Sequence, residues 1–127
     1  MVKSNARVLV VDGQEAVRAA MFRALLTRDI FCDCVSSGGD AITRLGERDY
    51  GLIVLDFALP NAGAVAVIES VRAIPAAARP MIIAVAARDD GARDSDSELV
   101  QMILRKPIRI TDAAEMIEAC ITHKRTA

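Results

Sequence analysis

Three charged residues stand where apolar runs of the sequence end: Asp12, Asp56 and Lys106. Continuous apolar runs are typical of buried parallel strands, and sites in open parallel sheets form at the carboxyl ends of the strands. Two carboxylates and one ammonium group would therefore meet at one rim of the sheet. A lysine ammonium at such a rim can form an ion pair with a carboxylate or bind a phosphoryl oxygen.

Composition distinguishes Lys106 from the other basic residues. Only three of the sixteen basic residues are lysines, and the other two, Lys3 and Lys124, lie near the ends of the chain. Each candidate also has an ordinary structural explanation, because aspartate caps turns after strands and a lysine at a strand end needs no function. The joint placement of acid, acid and lysine after the first, third and fifth strands favours a functional site.

The elements that would position these residues alternate between strands and helices. Four apolar runs and one alternating segment predict strands at 8–11, 31–35, 52–55, 81–85 and 102–104. Apolar stripes at helical spacing predict helices at 16–27, 40–47 and 64–73, and a last helix capped by Thr111 that runs to Ile121. A βα unit repeated five times predicts a parallel sheet with helices on both faces.

One segment does not fit this repeat. Residues 88–98 contain five acidic residues and two arginines, and Ala92 is their only apolar side chain. The fourth helix must fall near this segment, but it has almost no face to bury, so we expect a weak helix. Ordering the backbone costs roughly 1–2 kcal/mol per residue, and we therefore expect 88–98 to be the most mobile part of the fold.

Composition bounds the class of protein. The 127 residues predict one domain, and 16 basic against 17 acidic side chains argue against a nucleic-acid surface. No apolar run approaches the roughly 18 residues of a membrane span. No Walker motif or zinc spacing is present, and the single histidine, His123, lies in a polar segment. Three cysteines without a signal peptide predict reduced thiols in a cytoplasmic protein.

A resemblance to a known family rests on three motifs, VLVVDGQEAVRAAMFRALL, LIVLDFALPNAG and LRKPI. At this spacing they resemble the receiver domain of bacterial two-component response regulators, over about Arg7 to Ile121. The resemblance implies a single receiver domain over 1–127 with a flavodoxin-like (CheY-like) three-layer sandwich. Its five-stranded parallel sheet would have strand order 2-1-3-4-5. The resemblance also implies a cis peptide bond between Lys106 and Pro107.

The same resemblance implies roles for the three rim residues. Asp56 would be the phosphoacceptor, and Lys106 would contact the phosphoryl group. Asp12, Asp56 and the backbone carbonyl of Ala58 would bind Mg²⁺. Such a domain is not an ordinary enzyme, although it catalyses its own phosphorylation and dephosphorylation. The implied partners are a histidine kinase or a histidine phosphotransfer protein, docking beside the first helix, and a downstream protein target, with no nucleic acid and no membrane.

Several positions depart from the family pattern. Gly13 replaces the usual second acid, and Glu15 is the nearby acid that could substitute for it. The hydroxyl residue that ends the fourth strand is replaced by Val85 or Ala86, and the aromatic switch residue is replaced by Ile103. We therefore expect weak Mg²⁺ binding and an atypical output switch.

Two functions remain open on these residues. The first is a working phosphoacceptor in a phosphorelay, for which Asp56, Asp12 and Lys106 supply a minimum set. The second is a pseudo-receiver, a protein interaction module that acts without phosphorylation. The response of the protein to Mg²⁺ with beryllofluoride or a small phosphodonor would discriminate between the two.

Overall fold

The sheet has the predicted strand order. A computed structural model describes residues 7–87 and 98–126, and five parallel strands lie side by side in the order β2-β1-β3-β4-β5. The strands are β1 Arg7–Val11, β2 Cys32–Val35, β3 Tyr50–Asp56, β4 Met81–Ala86 and β5 Val100–Arg105. The predicted flavodoxin-like sheet is confirmed.

Helices cover both faces of this sheet. They are α1 Glu15–Leu26, α2 Gly38–Glu47, α3 Gly63–Arg72 and α4 Ile110–Thr126, and a short 3-10 turn spans Ala76–Ala78. One face packs against α1 and α4, and the other packs against α2 and α3. Both layers are mainly aliphatic, and Tyr50 is the aromatic residue buried in the layer under α2 and α3 among the described residues. Among the described residues, no helix is long and apolar enough to cross a membrane.

Two glycines allow α2 and α3 to meet closely at their first residues. A Cβ atom added to Gly38 would lie 2.6 Å from the backbone oxygen of Gly63. Ser37 caps α2, because its side chain accepts a hydrogen bond from the backbone N–H of Asp40 at 3.1 Å. The close approach fixes the start of both helices next to the loop that follows β3.

Some predicted boundaries are wrong. The last helix begins at Ile110, so Thr111 lies inside its first turn and does not cap it. Phe31 precedes β2 and is 65% exposed, although its backbone oxygen still accepts a hydrogen bond from the N–H of Val8 at 3.3 Å. Strand β5 begins at Val100, before the predicted start, since Leu99 and Val100 are buried after a polar segment. The segment 88–98, for which a weak helix and mobility are predicted, lies outside the described residues except for Glu98.

Strand register brings the three rim residues to one edge of the sheet. Val11 of β1 pairs with Leu55 of β3, so Asp12 and Asp56 leave neighbouring strands at the same level. Lys106 follows β5, and its backbone N–H donates to the oxygen of Ala86 at 3.0 Å. The bond between Lys106 and Pro107 is cis, as the resemblance implied.

Candidate functional site

Asp56 is one of two buried acids at the rim. It ends β3 with only 6% of its surface exposed. Its Oδ1 accepts a hydrogen bond from Lys106 Nζ at 2.8 Å and another from the backbone N–H of Ala58 at 2.9 Å. None of the described residues donates to its Oδ2. One carboxylate oxygen is thus held in place, and the other receives no hydrogen bond from the described part of the chain.

Asp12 is the second buried acid, and it is held from two sides. Its Oδ1 accepts from the backbone N–H of Gln14 at 2.8 Å, and the Arg18 guanidinium donates to its backbone oxygen at 2.9 Å. Burial raises the pKa of Asp12, and the negative charge of Asp56 adds to this rise. The Gln14 N–H, Lys106 and Arg18 lower the same pKa in part. Asp12 is therefore a carboxylate that pays a desolvation cost for its charge.

The structure brings Asp12, Asp56 and Lys106 together, but it does not add a third acid. Glu15 is exposed at the start of α1. No group of three or more His, Cys, Asp or Glu side chains suited to a metal ion occurs among residues 7–87 and 98–126. Gly13 is exposed and has room for a side chain, since its nearest neighbour would lie 4.0 Å from an added Cβ.

The donor set at this rim fits a small divalent cation. Magnesium prefers hard oxygen ligands, keeps several waters and is often bound by only one or two carboxylates. Asp12 and Asp56 are both buried, and burial together with the charge of Asp56 raises the pKa of Asp12, a cost that a bound cation would relieve. The resemblance adds the backbone carbonyl of Ala58 as a ligand. Ala58 is exposed, and its backbone N–H donates a hydrogen bond to Asp56 Oδ1.

The three positions that lack the usual switch groups differ in their burial and in whether they lie next to the acids. Val85 is the register partner of Asp56 and is 2% exposed. It lines the same groove as Asp12 and Lys106, whereas Ala86 is buried at the end of β4 outside that lining. Ile103 lies on the edge strand β5 with 38% of its surface exposed. Of the two alternatives at the end of the fourth strand, Val85 is the one that faces the rim.

A groove leads away from the rim between α1 and the loop after β5. It has a volume of about 520 Å³, and its walls include Val17, Ala20, Pro107 and Ile108 together with the charged residues Asp12 and Lys106. Most of its lining residues are apolar. A largely apolar groove with a few charged groups is the usual form of a binding site.

Sequence reasoning missed the contribution of Arg18. The residue lies off the apolar stripe of α1, which predicts only a solvated side chain. Its guanidinium instead binds the Asp12 carbonyl oxygen, six residues earlier in the chain. The available signal is an arginine in the first turn of the helix that follows a strand-end acid, a position from which the side chain can reach back to the rim.

Solved structures similar to this chain are receiver domains. A response regulator receiver domain (CheY-like) from Methanospirillum hungatei JF-1 has a TM-score of 0.84 and 21% identity, over 97% of this chain and 99% of that one. One from Methylobacillus flagellatus has a TM-score of 0.76 and 24% identity, over 90% of this chain and 97% of that one. At this identity the likeness shows the fold. Curated proteins give no match to this chain.

The sequence itself matches a protein family. Residues 8–118 fit the family described as "Response regulator receiver domain". The matched span begins in β1 and ends inside α4, so it includes all five strands and the three rim residues. The chain therefore belongs to the response regulator receiver domain family.

Proposed function

We propose that this receiver domain is a phosphoacceptor in two-component signalling, in which Asp56 takes a phosphoryl group from a phosphohistidine. The observation that carries the proposal is the 2.8 Å contact between Lys106 Nζ and Asp56 Oδ1, beside the second buried acid, Asp12. The Lys106 side chain is 30% exposed, whereas the side chain of Asp56 is 7% exposed. A phosphoryl group arriving at Asp56 would meet a cation already in place.

The transfer step uses the oxygen of Asp56 that is not held. Oδ2 attacks the phosphorus atom because Oδ1 already accepts hydrogen bonds from Lys106 and Ala58. The new P–O bond forms as the P–N bond of phosphohistidine breaks, and the imidazole nitrogen keeps the electron pair. The Lys106 ammonium group then contacts the transferred phosphoryl group and balances part of its charge.

Asp12, Asp56 and the Ala58 carbonyl would hold Mg²⁺ in this site. When bound, the ion neutralises charge on the phosphoryl oxygens and orients them for transfer. Gly13 supplies no carboxylate where relatives have a second acid, and Glu15 lies exposed. We therefore expect weaker Mg²⁺ binding than in a receiver with both acids.

Intact-mass measurement after treatment with acetyl phosphate or phosphoramidate tests the proposal. We expect the wild-type chain to gain one phosphoryl group in the presence of Mg²⁺ and to gain none when EDTA removes the ion. The matched control is Asp56→Asn, which keeps the size of the side chain and removes the nucleophile. Absence of an adduct on the wild type, or the same adduct on Asp56→Asn, would contradict the proposal.

The alternative function is a pseudo-receiver that binds a protein partner without phosphorylation. The specific observation in its favour is Val85, which is buried beside Asp56 and offers no hydroxyl to a phosphoryl group. Under this alternative, Mg²⁺ with beryllofluoride leaves the amide spectrum of the protein unchanged. Under our proposal, the same reagents shift the amide signals of residues around Asp56.

The proposed role defines the expected partners and compartment. A histidine kinase or a histidine phosphotransfer protein would supply the phosphoryl group, and a protein target would read the result. Asp12 and Lys106 line the groove beside α1, so a donor docked there would contact the rim. We expect this exchange to take place in the cytoplasm, with no nucleic acid or membrane as partner, and with no separate substrate turned over as an enzyme would.

A further inference from the structure

Two thiols lie side by side on the edge strand β2, outside the candidate phosphoryl site. Cys32 and Cys34 are two residues apart, so their side chains point to the same face of the sheet. Their Sγ atoms are 3.8 Å apart, and neither is in a disulfide. Cys32 is buried, whereas Cys34 is half-buried. One thiol is therefore accessible from outside and has a second thiol directly behind it.

The surroundings make Cys34 the more reactive thiol. It lines a polar opening of about 400 Å³ that also includes Arg18, Arg44 and Asp40. The hydrogen bond from the Cys32 thiol lowers the pKa of Cys34, and the positive charge of Arg18 lowers it further, although burial and the negative charge of Asp33 oppose both. The same hydrogen bond raises the pKa of Cys32. Reactive cysteines typically occupy such partly exposed positions near cations.

We propose that Cys32 and Cys34 form a reversible disulfide in response to hydrogen peroxide, a modification that goes beyond the proposed phosphoryl transfer. The Cys34 thiolate attacks one peroxide oxygen, the O–O bond breaks, and hydroxide leaves, which produces a sulfenic acid. The Cys32 thiol then attacks the Cys34 sulfur, and the S–O bond breaks to release water. Two electrons pass from the thiols to peroxide, and a small thiol reductant can return them.

Strand geometry makes this disulfide a strained one. Cβ atoms two residues apart on one face of a strand are separated by roughly 6.6 Å, whereas a disulfide brings its Cβ atoms to roughly 3.5–4.5 Å. The strand must therefore kink at Asp33 for the bond to form. Among the described strands, β2 is at the edge of the sheet and pairs only with β1, so a kink disturbs one ladder instead of two. Strained disulfides are easily reduced, which suits a reversible modification.

Peptide mass analysis of the full chain tests the proposal. Trypsin cuts after Arg28 and Arg44, so both thiols leave in one peptide that contains no methionine and is separate from Cys120. After treatment with one equivalent of peroxide, we expect this peptide to lose two hydrogen atoms and to recover them with dithiothreitol. In Cys32→Ser, we expect Cys34 to stop at the sulfenic acid and to react with dimedone. In Cys34→Ser, we expect Cys32 to remain a thiol.

A second measurement needs no variant and therefore does not depend on how the variants fold. With limiting iodoacetamide, we expect Cys34 of the wild-type protein to be alkylated at least about tenfold faster than Cys32. Equal alkylation of the two thiols would overturn the proposal. The same holds if both thiols survive peroxide that already oxidises the methionines, or if the product is a bridge between two chains.

Discussion

Asp12 is a residue whose charge is costly for folding, and we propose that this charge binds the cation. Because burial raises its pKa, the folded chain holds the carboxyl proton more tightly than the unfolded chain does. Its contribution to stability is thus present below the unfolded pKa and is lost as pH rises through the folded pKa. At neutral pH the charged carboxylate remains as a cost, which a bound cation would offset.

Asp12→Asn should therefore stabilise the protein when no divalent cation is present. We expect a gain on the order of 1 kcal/mol in the free energy of unfolding at pH 7 in EDTA, as is usual when a functional charge is removed. The same variant should lose the stabilisation that added Mg²⁺ gives the wild type. Urea denaturation with and without Mg²⁺ measures both effects. A variant less stable than wild type in EDTA would show that Asp12 is a structural residue.

Gly13 allows the opposite experiment, in which a ligand is added. Gly13→Asp introduces a carboxylate next to Asp12 at an exposed position with room for it. We expect Mg²⁺ to bind at least about tenfold more tightly, which is 1.4 kcal/mol. Gly13→Asn is the matched control, because it has the same size without the charge. Isothermal titration of both variants with Mg²⁺ makes the comparison, and equal affinities would contradict it.

At the scale of the elements, the start of α2 and the start of α3 depend on each other through their glycines. An added Cβ at Gly38 would collide with backbone atoms of Gly63, whereas an added Cβ at Gly46 in the same helix meets nothing within 4 Å. We expect Gly38→Ala to destabilise the protein by about 1–3 kcal/mol. Gly46→Ala should stabilise it by up to about 1 kcal/mol, since alanine favours helices. Chemical denaturation of this matched pair tests the contact, and similar effects from both would exclude it.

Tyr50 connects β3 to the edge strand β2. Its hydroxyl donates to Asp33 Oδ2 at 2.6 Å, and Arg7 and Arg48 lie 3.8 Å and 3.7 Å from the same carboxylate. Burial, followed by the Asp33 carboxylate, raises the pKa of Tyr50 to about 12. Its unfolded pKa is about 10. The folded state therefore gains stability from Tyr50 below pH 10 and loses that gain as pH rises towards 12.

The pKa of Tyr50 can be measured directly because it is the only tyrosine and the chain has no tryptophan. We expect its phenolate absorbance in the folded protein to appear near pH 12. The difference in free energy of unfolding between wild type and Tyr50→Phe should shrink over the same range. A midpoint near pH 10 would mean that the hydroxyl is not held by Asp33.

Local patterns predicted the strands well and the connections between them less well. Runs such as 52–55 and 81–85 are apolar throughout and only four or five residues long, which is typical of a strand buried on both faces. The hydrogen bond between Tyr50 and Asp33 and the near contact of the two cysteines depend on strand pairing and on side-chain direction. Thr111 is a residue type that often caps helices. The helix nevertheless begins one residue earlier, at Ile110, so Thr111 lies inside its first turn.

The candidate site was predictable at its three charged residues because each ends a recognisable strand. What the sequence could not supply is the orientation of the groups between them. The choice between Val85 and Ala86 depends on the register of β3 against β4, and the contact of Arg18 with Asp12 depends on where α1 begins. Glu15 is close to Asp12 in sequence, yet it lies exposed at the start of that helix. The closeness of Glu15 to Asp12 in the sequence therefore did not predict the position of its side chain in the structure.

At the scale of the whole molecule, output requires that phosphorylation of Asp56 be felt on another surface. A ligand shifts a conformational equilibrium only through contacts that differ between the two states. In a complete receiver, a hydroxyl on the fourth strand follows the phosphoryl group, and an aromatic ring on the fifth strand fills the space. Val85 is buried beside Asp56 without a hydroxyl, and Ile103 is partly exposed on β5 without a ring.

We therefore expect phosphorylation or beryllofluoride to change the surroundings of Asp56 while residues 99–105 move little. A partner that binds the β5 side should bind both forms with affinities within about tenfold, or 1.4 kcal/mol. Chemical-shift mapping of both forms measures the spread, and Val85→Thr is the matched variant, because it adds a hydroxyl with little change of shape. Shifts that reach Ile103 only in Val85→Thr would identify the missing hydroxyl as the break in the path. Large shifts at Ile103 in the wild type would instead mean that another hydroxyl group responds to the phosphoryl group in place of the missing one. The first candidates for this role are Ser95 and Ser97, which lie outside the described residues.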